Sequence, residues 1–205
     1  MISNFAPVAT RPLPHTLVGE HVTLSPLTAE DLPGLYDAIG VPEVFAGGYG
    51  GGPAAAPADY DDFVAWASWR LRWNDGLVFA VRDTTGTIIG TSTMADFNEQ
   101  LGLTHIGWTA YAPRVWGTSV NPETKLLLLT LAFASGYGRV RIMADERNGR
   151  SRAAIAKLGA TFEGIARRTA RRVDGSWAGV AEFSILDDEW PRVRAGLLAR
   201  LGRSE

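Results

Sequence analysis

The residues with the plainest chemical use run from Pro113 to Lys125, Pro-Arg-Val-Trp-Gly-Thr-Ser-Val-Asn-Pro-Glu-Thr-Lys. Gly117, Thr118 and Ser119 are small, so the backbone there can come close to a ligand. Residues 104–111 before them have strand chemistry, and residues 126–133 after them are apolar enough for a helix that is almost wholly buried. A strand, a small-residue turn and a helix start aim several unpaired N–H groups at one point, where the positive helix end also acts. Such a point binds anions. Asn121 is expected as the cap, Pro122 at the first helical position and Glu123 in the first turn, where the dipole favours negative charge. Taken alone, residues 114–119 also fit an ordinary loop and helix cap.

Other chemistries are excluded or unsupported. The chain has no cysteine, which rules out thiolate catalysis, disulfides and cysteine-held metal, and no metal site is expected. A formal net charge of -2 gives no global basic field of the kind that nucleic-acid binders carry. No apolar run approaches the roughly 20 residues of a membrane span, and the first residues lack the basic flank and apolar centre of a secretory signal. A cytoplasmic location with no membrane partner is the expectation. The glycine-rich residues 46–57 are not a dinucleotide fingerprint, since no strand precedes them and Pro53 breaks the spacing. They read as a mobile loop beside Phe45 and Tyr49, either a substrate lid or a tolerated insertion.

The 205 residues suit one domain. Residues 1–18, with three prolines, read as an N-terminal arm, and residues 19–202 as a single domain. Strands are expected at 20–27, 77–82, 88–95, 104–111, 139–145, 162–172 and 177–185, seven in all. Helices are expected from Thr28, with Asp31 reaching back to it, over 59–73, after the 113–125 stretch, from Asn148 to Gly159 and from Glu189 to about Leu201. The aromatic residues Phe63, Trp66, Trp69 and Trp73 read as core rather than binding site.

On this order of elements, Arg114-Val-Trp-Gly117-Thr-Ser119 resembles the R/Q-x-x-G-x-G/A signature with which GNAT acetyltransferases hold the pyrophosphate of acetyl-CoA, with Ser119 in place of Gly or Ala. Ile106-Gly-Trp-Thr109, residues 121–129, Asp145-Glu-Arg-Asn148-Gly-Arg-Ser151, Phe162-Glu-Gly164 and residues 184–191 also resemble this family, nearest its RimJ/RimL-like branch. The resemblance covers residues 21–201. It implies an α+β GNAT fold, a mixed, mostly antiparallel and V-splayed sheet of about seven strands flanked by helices.

The resemblance further implies direct transfer of an acetyl group from acetyl-CoA to a primary amine, of a peptide N-terminus or a small molecule. The backbone of Trp108, Thr109, Ala110 and Tyr111 would hold the pantetheine arm. The amides of Val115, Trp116, Gly117, Thr118 and Ser119 would hold the pyrophosphate, with Arg114 adding charge. Asn148 would contact pantetheine, or only cap its helix, or both. Ser151 would hydrogen-bond the leaving sulfur. His105 stands where relatives often carry a glutamate base, and an imidazole can do that work. Asp96, Glu99 and bulk water are rival bases. Phe45, Tyr49 and Asp96 are the expected acceptor-side residues. The branch often forms dimers, so a homodimer is possible.

Two departures are visible: His105 for the glutamate, and Ala178-Gly179 where relatives often have Arg-Asp. They motivate the alternative of a non-catalytic acyl-CoA-binding regulatory protein. Arg167, Arg168, Arg171 and Arg172 form either a solvated strand face or an attractor for acidic groups. Use of another acyl-CoA is a further alternative.

Overall fold

A computed structural model describes residues 6–203; residues 1–5 of the expected arm lie outside it. An eight-stranded sheet carries the molecule, in the order β1-β2-β3-β4-β5-β6-β8-β7. The strands are β1 (Leu17–Val18), β2 (Thr23–Pro26), β3 (Leu77–Arg82), β4 (Ile88–Asn98), β5 (Leu103–Tyr111), β6 (Arg139–Asp145), β7 (Thr161–Arg171) and β8 (Trp177–Leu186). The count exceeds the expected seven because the end of the arm pairs with β2, Leu17 opposite Leu24. Every neighbouring pair is antiparallel except β5–β6.

That parallel pair is short. It joins Leu103, Thr104 and His105 to Arg139, Val140 and Arg141, and no further. β5 continues to Tyr111 and stays paired with β4 on its other side, while β6 continues to Asp145 along β8. The sheet therefore forks beyond His105, and the β5 backbone from Ile106 onward has one unpaired edge. A bulge between Thr91/Thr93 on β4 sharpens the departure, with Trp108 at φ 48, a conformation that a side chain of its size rarely adopts.

Among the described residues, six α-helices cover the sheet: α1 (Leu32–Ile39), α2 (Pro42–Phe45), α3 (Tyr60–Arg70), α4 (Val120–Ala134), α5 (Gly149–Lys157) and α6 (Trp190–Arg200). One core packs α4, α5 and α6 on a sheet face through Leu128, Leu129, Ile155 and Leu197. The other packs α1, α2 and α3 on the opposite face through Leu35, Phe45, Phe63 and Trp66. Local chemistry sets the helix starts. Asp31 accepts from the Thr28 amide at 3.0 Å, Asp59 from Asp62 N at 2.9 Å and Asn148 from Ser151 N at 2.9 Å. Trp66 is core as expected, but Trp69 is 62% exposed, because it lies on the outer side of α3.

The start of α4 differs from expectation. The helix begins at Val120 with Ser119 as its N-cap residue, so Asn121 lies inside the first turn and accepts from the Tyr111 hydroxyl at 3.3 Å. Glu123 has a larger task than dipole compensation. It is fully buried, and its carboxylate accepts from the amides of Glu20 at 2.9 Å, His21 at 2.5 Å and Val22 at 2.9 Å. Gly19 makes room for this, since a Cβ there would stand 2.5 Å from the Glu123 Cδ. None of the helices among the described residues is long and apolar enough to cross a membrane.

Candidate active site

The fork opens a cavity of about 510 Å³. β5 lines it from Ile106 to Tyr111, α4 through Asn121, Pro122 and Lys125, and α5 with its approach through Asn148, Arg150 and Ser151. The turn between β5 and α4 contributes Val115, Trp116, Gly117 and Thr118. Gly117 has φ +79, and a Cβ built on it would meet nothing within 4 Å, so the space above the turn is open. The amides of Gly117 and Ser119 donate to no hydrogen bond among the described residues. Thr118 stiffens the turn by donating from Oγ1 to the Val115 carbonyl at 2.7 Å. Trp116 donates from Nε1 to the Tyr111 carbonyl at 2.9 Å, which fastens the turn to the end of β5.

Cations line the cavity, though not the one expected. Arg114 is exposed and lies outside the cavity lining. Arg150, Lys157 and Arg200 line the cavity instead, with Arg150 over the Trp116 ring at 3.6 Å from its centroid. They come from α5 and α6, and no short motif flags them. Free amides at a helix start, a glycine cradle and the cations of the lining suit a diphosphate. The residues present therefore fit the nucleotide end of a coenzyme A group.

Asn148 and Ser151 both line the cavity. The Asn148 Oδ1 is engaged in capping, which leaves its Nδ2 free of that bond. The Ser151 hydroxyl makes no hydrogen bond among the described residues.

Lys125 also lines the cavity, a position to which no motif assigns a role. It is only 4% exposed, and Nζ donates to Thr109 Oγ1 at 2.7 Å and to Ser92 Oγ at 3.2 Å. Burial lowers its pKa to about 7. As one of only two lysines, and within an otherwise apolar helix face, it could have been singled out by composition.

The expected base lies elsewhere. His105 is 4% exposed, does not line the cavity, and packs its ring 4.7 Å from the Trp108 ring. Its Nδ1 lies 3.3 Å from Asp96 Oδ2, within ion-pair reach but without hydrogen-bond alignment, and both ring nitrogens are buried without a bonded partner. Burial outweighs the attraction of Asp96 and lowers its pKa. Asp96, held down to about 2 by His105 and by Arg72 and Arg141, also lies outside the cavity. Phe45 is fully buried in the core beneath α3 and does not reach the cavity either.

Tyr49 does reach it, and its hydroxyl stands 3.4 Å from the Trp108 carbonyl. Tyr49 belongs to the glycine-rich stretch, which folds into two 3-10 turns, Tyr49–Gly51 and Pro53–Ala55. Gly47 and Gly48 lie against Asn148 and Asp145; Gly50, at φ +64, lies against Trp66. The segment thus crosses the mouth of the fork from the α3 side to the β6 side. Asp145 is taken up by Arg172, with two hydrogen bonds of 2.9 Å. The Gly179 departure has a local partner, since a Cβ there would stand 2.4 Å from Glu146 Oε2, and Gly179 N donates to Glu146 Oε1 at 3.1 Å.

Comparison with known proteins agrees with this geometry. Residues 21–161, more than half of the chain, match the acetyltransferase (GNAT) domain. The chain belongs to the GNAT acetyltransferase family. A GCN5-related N-acetyltransferase from Brucella melitensis is similar to this GNAT chain at 28% identity, with a TM-score of 0.85 over 97% of this chain and 90% of that one. A protein assigned as an acetyltransferase from T. thermophilus is 30% identical, with a TM-score of 0.82 over 94% of this chain and 100% of that one. RimJ of Mycobacterium smegmatis, solved with CoA-disulfide, is 22% identical and shares the fold at a TM-score of 0.70, covering 90% of each chain. Curated protein sequences gave no significant match. GNAT acetyltransferases use acetyl-CoA, and the cradle at Gly117 is compatible with it.

Proposed function

We propose that this protein moves an acetyl group from acetyl-CoA directly to a primary amine, of a small molecule or a peptide N-terminus. The observation that carries the reading is the continuity of the fork with the turn. The unpaired β5 edge and the turn at Gly117, with its free amide, line one cavity, and the free amide of Ser119 follows just outside that lining. Acetyl-CoA supplies the activated acyl thioester.

The chain's own residues hold and orient. The amides of Gly117 and Ser119, with Arg150, Lys157 and Arg200, take the phosphates. The open edge of Trp108, Thr109, Ala110 and Tyr111 takes the arm as a further strand would be taken, and an N–H of that edge is the donor for a developing oxyanion. Ser151 offers a hydroxyl proton at the sulfur end, and Asn148 offers its Nδ2. No uncommitted base lines the acceptor side among the described residues: the Lys125 Nζ is taken up by Thr109 and Ser92. Tyr49 keeps its proton because burial raises its pKa, and Asp145 is engaged by Arg172. The amine therefore loses its proton to solvent, and His105 acts on the site only through its packing beneath Trp108. The motif resemblance to the RimJ/RimL-like branch supports N-terminal amines as one acceptor class.

The test is thiol release from acetyl-CoA against pools of amino acids, peptides and polyamines, with the product identified by mass. Amine-dependent release with a gain of one acetyl group is expected. Coenzyme binding without release against any pool would instead favour a non-catalytic acyl-CoA-binding protein.

A further inference from the structure

One cation on the acceptor side of the cavity has no counterpart. Arg70, the last residue of α3, makes no hydrogen bond or ion pair among the described residues, and its Nε is buried without a partner. The nearby carboxylates are committed elsewhere. Asp75 and Asp96 contact Arg72 at 2.5 Å and 3.1 Å, and Asp145 is bidentate with Arg172. A guanidinium stays charged at any physiological pH, and leaving it partly desolvated and unpaired is costly unless a ligand supplies the anion.

The location says which ligand. Arg150, Lys157 and Arg200, the cations suited to the coenzyme's phosphates, stand on α5 and α6 on one face of the sheet. Arg70 stands on α3, which packs on the opposite face with Tyr49 and Trp66, and reaches the cavity from that side of the fork. The glycine-rich segment crosses the mouth beside it, with Gly47 against Asn148 and Gly51 against Val173, so the acceptor side is roofed rather than an open groove.

We infer that Arg70 is an anion subsite for the acceptor, and that the acceptor is a small amine carrying a carboxylate, as a free amino acid does. The inference rests on the acetyl-transfer reading and narrows its acceptor. Planar, two-pronged donors match a carboxylate, which would fix the amine relative to the β5 edge.

The experiment pairs each free L-amino acid with its α-amide, using full-length protein saturated with coenzyme A. Binding is followed by calorimetry, and turnover separately with acetyl-CoA. Wild-type protein is expected to prefer at least one acid over its amide. Arg70→Met is expected to weaken that acid by about 10- to 150-fold, the usual worth of a charged hydrogen bond, and to leave the amide and acetyl-CoA affinity unchanged. Arg70→Lys, which keeps the charge without the fork, is expected to fall between, and it serves if the methionine variant does not fold. Equal binding of every acid and amide, or no binding of any acid, overturns the inference. A preference for the acid without acetylated product leaves the subsite standing and overturns acetyl transfer instead.

Discussion

Lys125 shows how one residue can carry a measurable signature. Its ammonium would have only two hydroxyls and no carboxylate for company, so burial wins and its pKa falls to about 7. An unfolded chain restores the ordinary value of about 10.4. Between those limits the unfolded state binds the extra proton, so stability rises with pH across that window, by at most about 1.4 kcal/mol per unit. Urea titrations at pH 7 and pH 9 should show the rise in the wild type and its loss in Lys125→Met. Glu123 makes the opposite point, as a buried carboxylate satisfied by three consecutive amides and by Arg203 at 3.3 Å. Glu123→Ala strands those amides and should lower the unfolding free energy by at least ~3 kcal/mol. At His105 the expected outcome is mild. His105→Gln should keep acetyl transfer within about threefold at pH 8, the scale of an indirect packing effect rather than the 100-fold or more of a lost general base. The rate should follow the amine's own ionisation in both proteins.

At the scale of elements, β5 is the part that serves two roles. Its first three residues close the sheet against β6, and the rest leaves one edge to the cavity. The bulge at Thr91/Thr93 permits this without loss of the β4 pairing. The glycine-rich segment depends on conformations closed to other residues. Gly50 sits at φ +64, and a Cβ there would stand 2.8 Å from the Trp66 ring, whose Nε1 donates to the Gly50 carbonyl at 3.1 Å. Gly50→Val should cost about 1–3 kcal/mol through backbone strain. It should raise the KM for the acceptor while leaving acetyl-CoA affinity in place, as steady-state kinetics with each substrate varied would show.

At the scale of the whole molecule, two cores on opposite faces of one forked sheet divide the labour. One face offers cations and free amides, the other a roofed pocket with a lone guanidinium. Ligand binding should therefore stabilise the entire fold, since the turn, α4, α5 and α6 all line one cavity. Acetyl-CoA at 100 times its Kd should add about 2.7 kcal/mol to the unfolding free energy. In Gly117→Val that increment should vanish, because φ +79 is closed to a β-branched residue and the turn must move.

Much of the fold could be read from the chain because it depends on neighbours in sequence. Asp31, Asp59 and Asn148 cap where their side chains can reach amides close by in the chain, and Asp174-Gly175 turns β7 into β8. The small-residue turn before α4 was legible for the same reason, and the family resemblance gave it a purpose. Long-range geometry decided the rest. Whether His105 faces the cavity depends on the bulged pairing of β4 with β5, and a single-residue shift there reverses every side chain beyond it. Arg150, Lys157 and Arg200 on one side and Arg70 on the other lie on helices far apart in sequence, and only packing on opposite faces of the sheet brings them to one cavity. Local chemistry wrote the elements into the sequence; the desolvation and pairing of their charges existed only once the chain had closed around the fork.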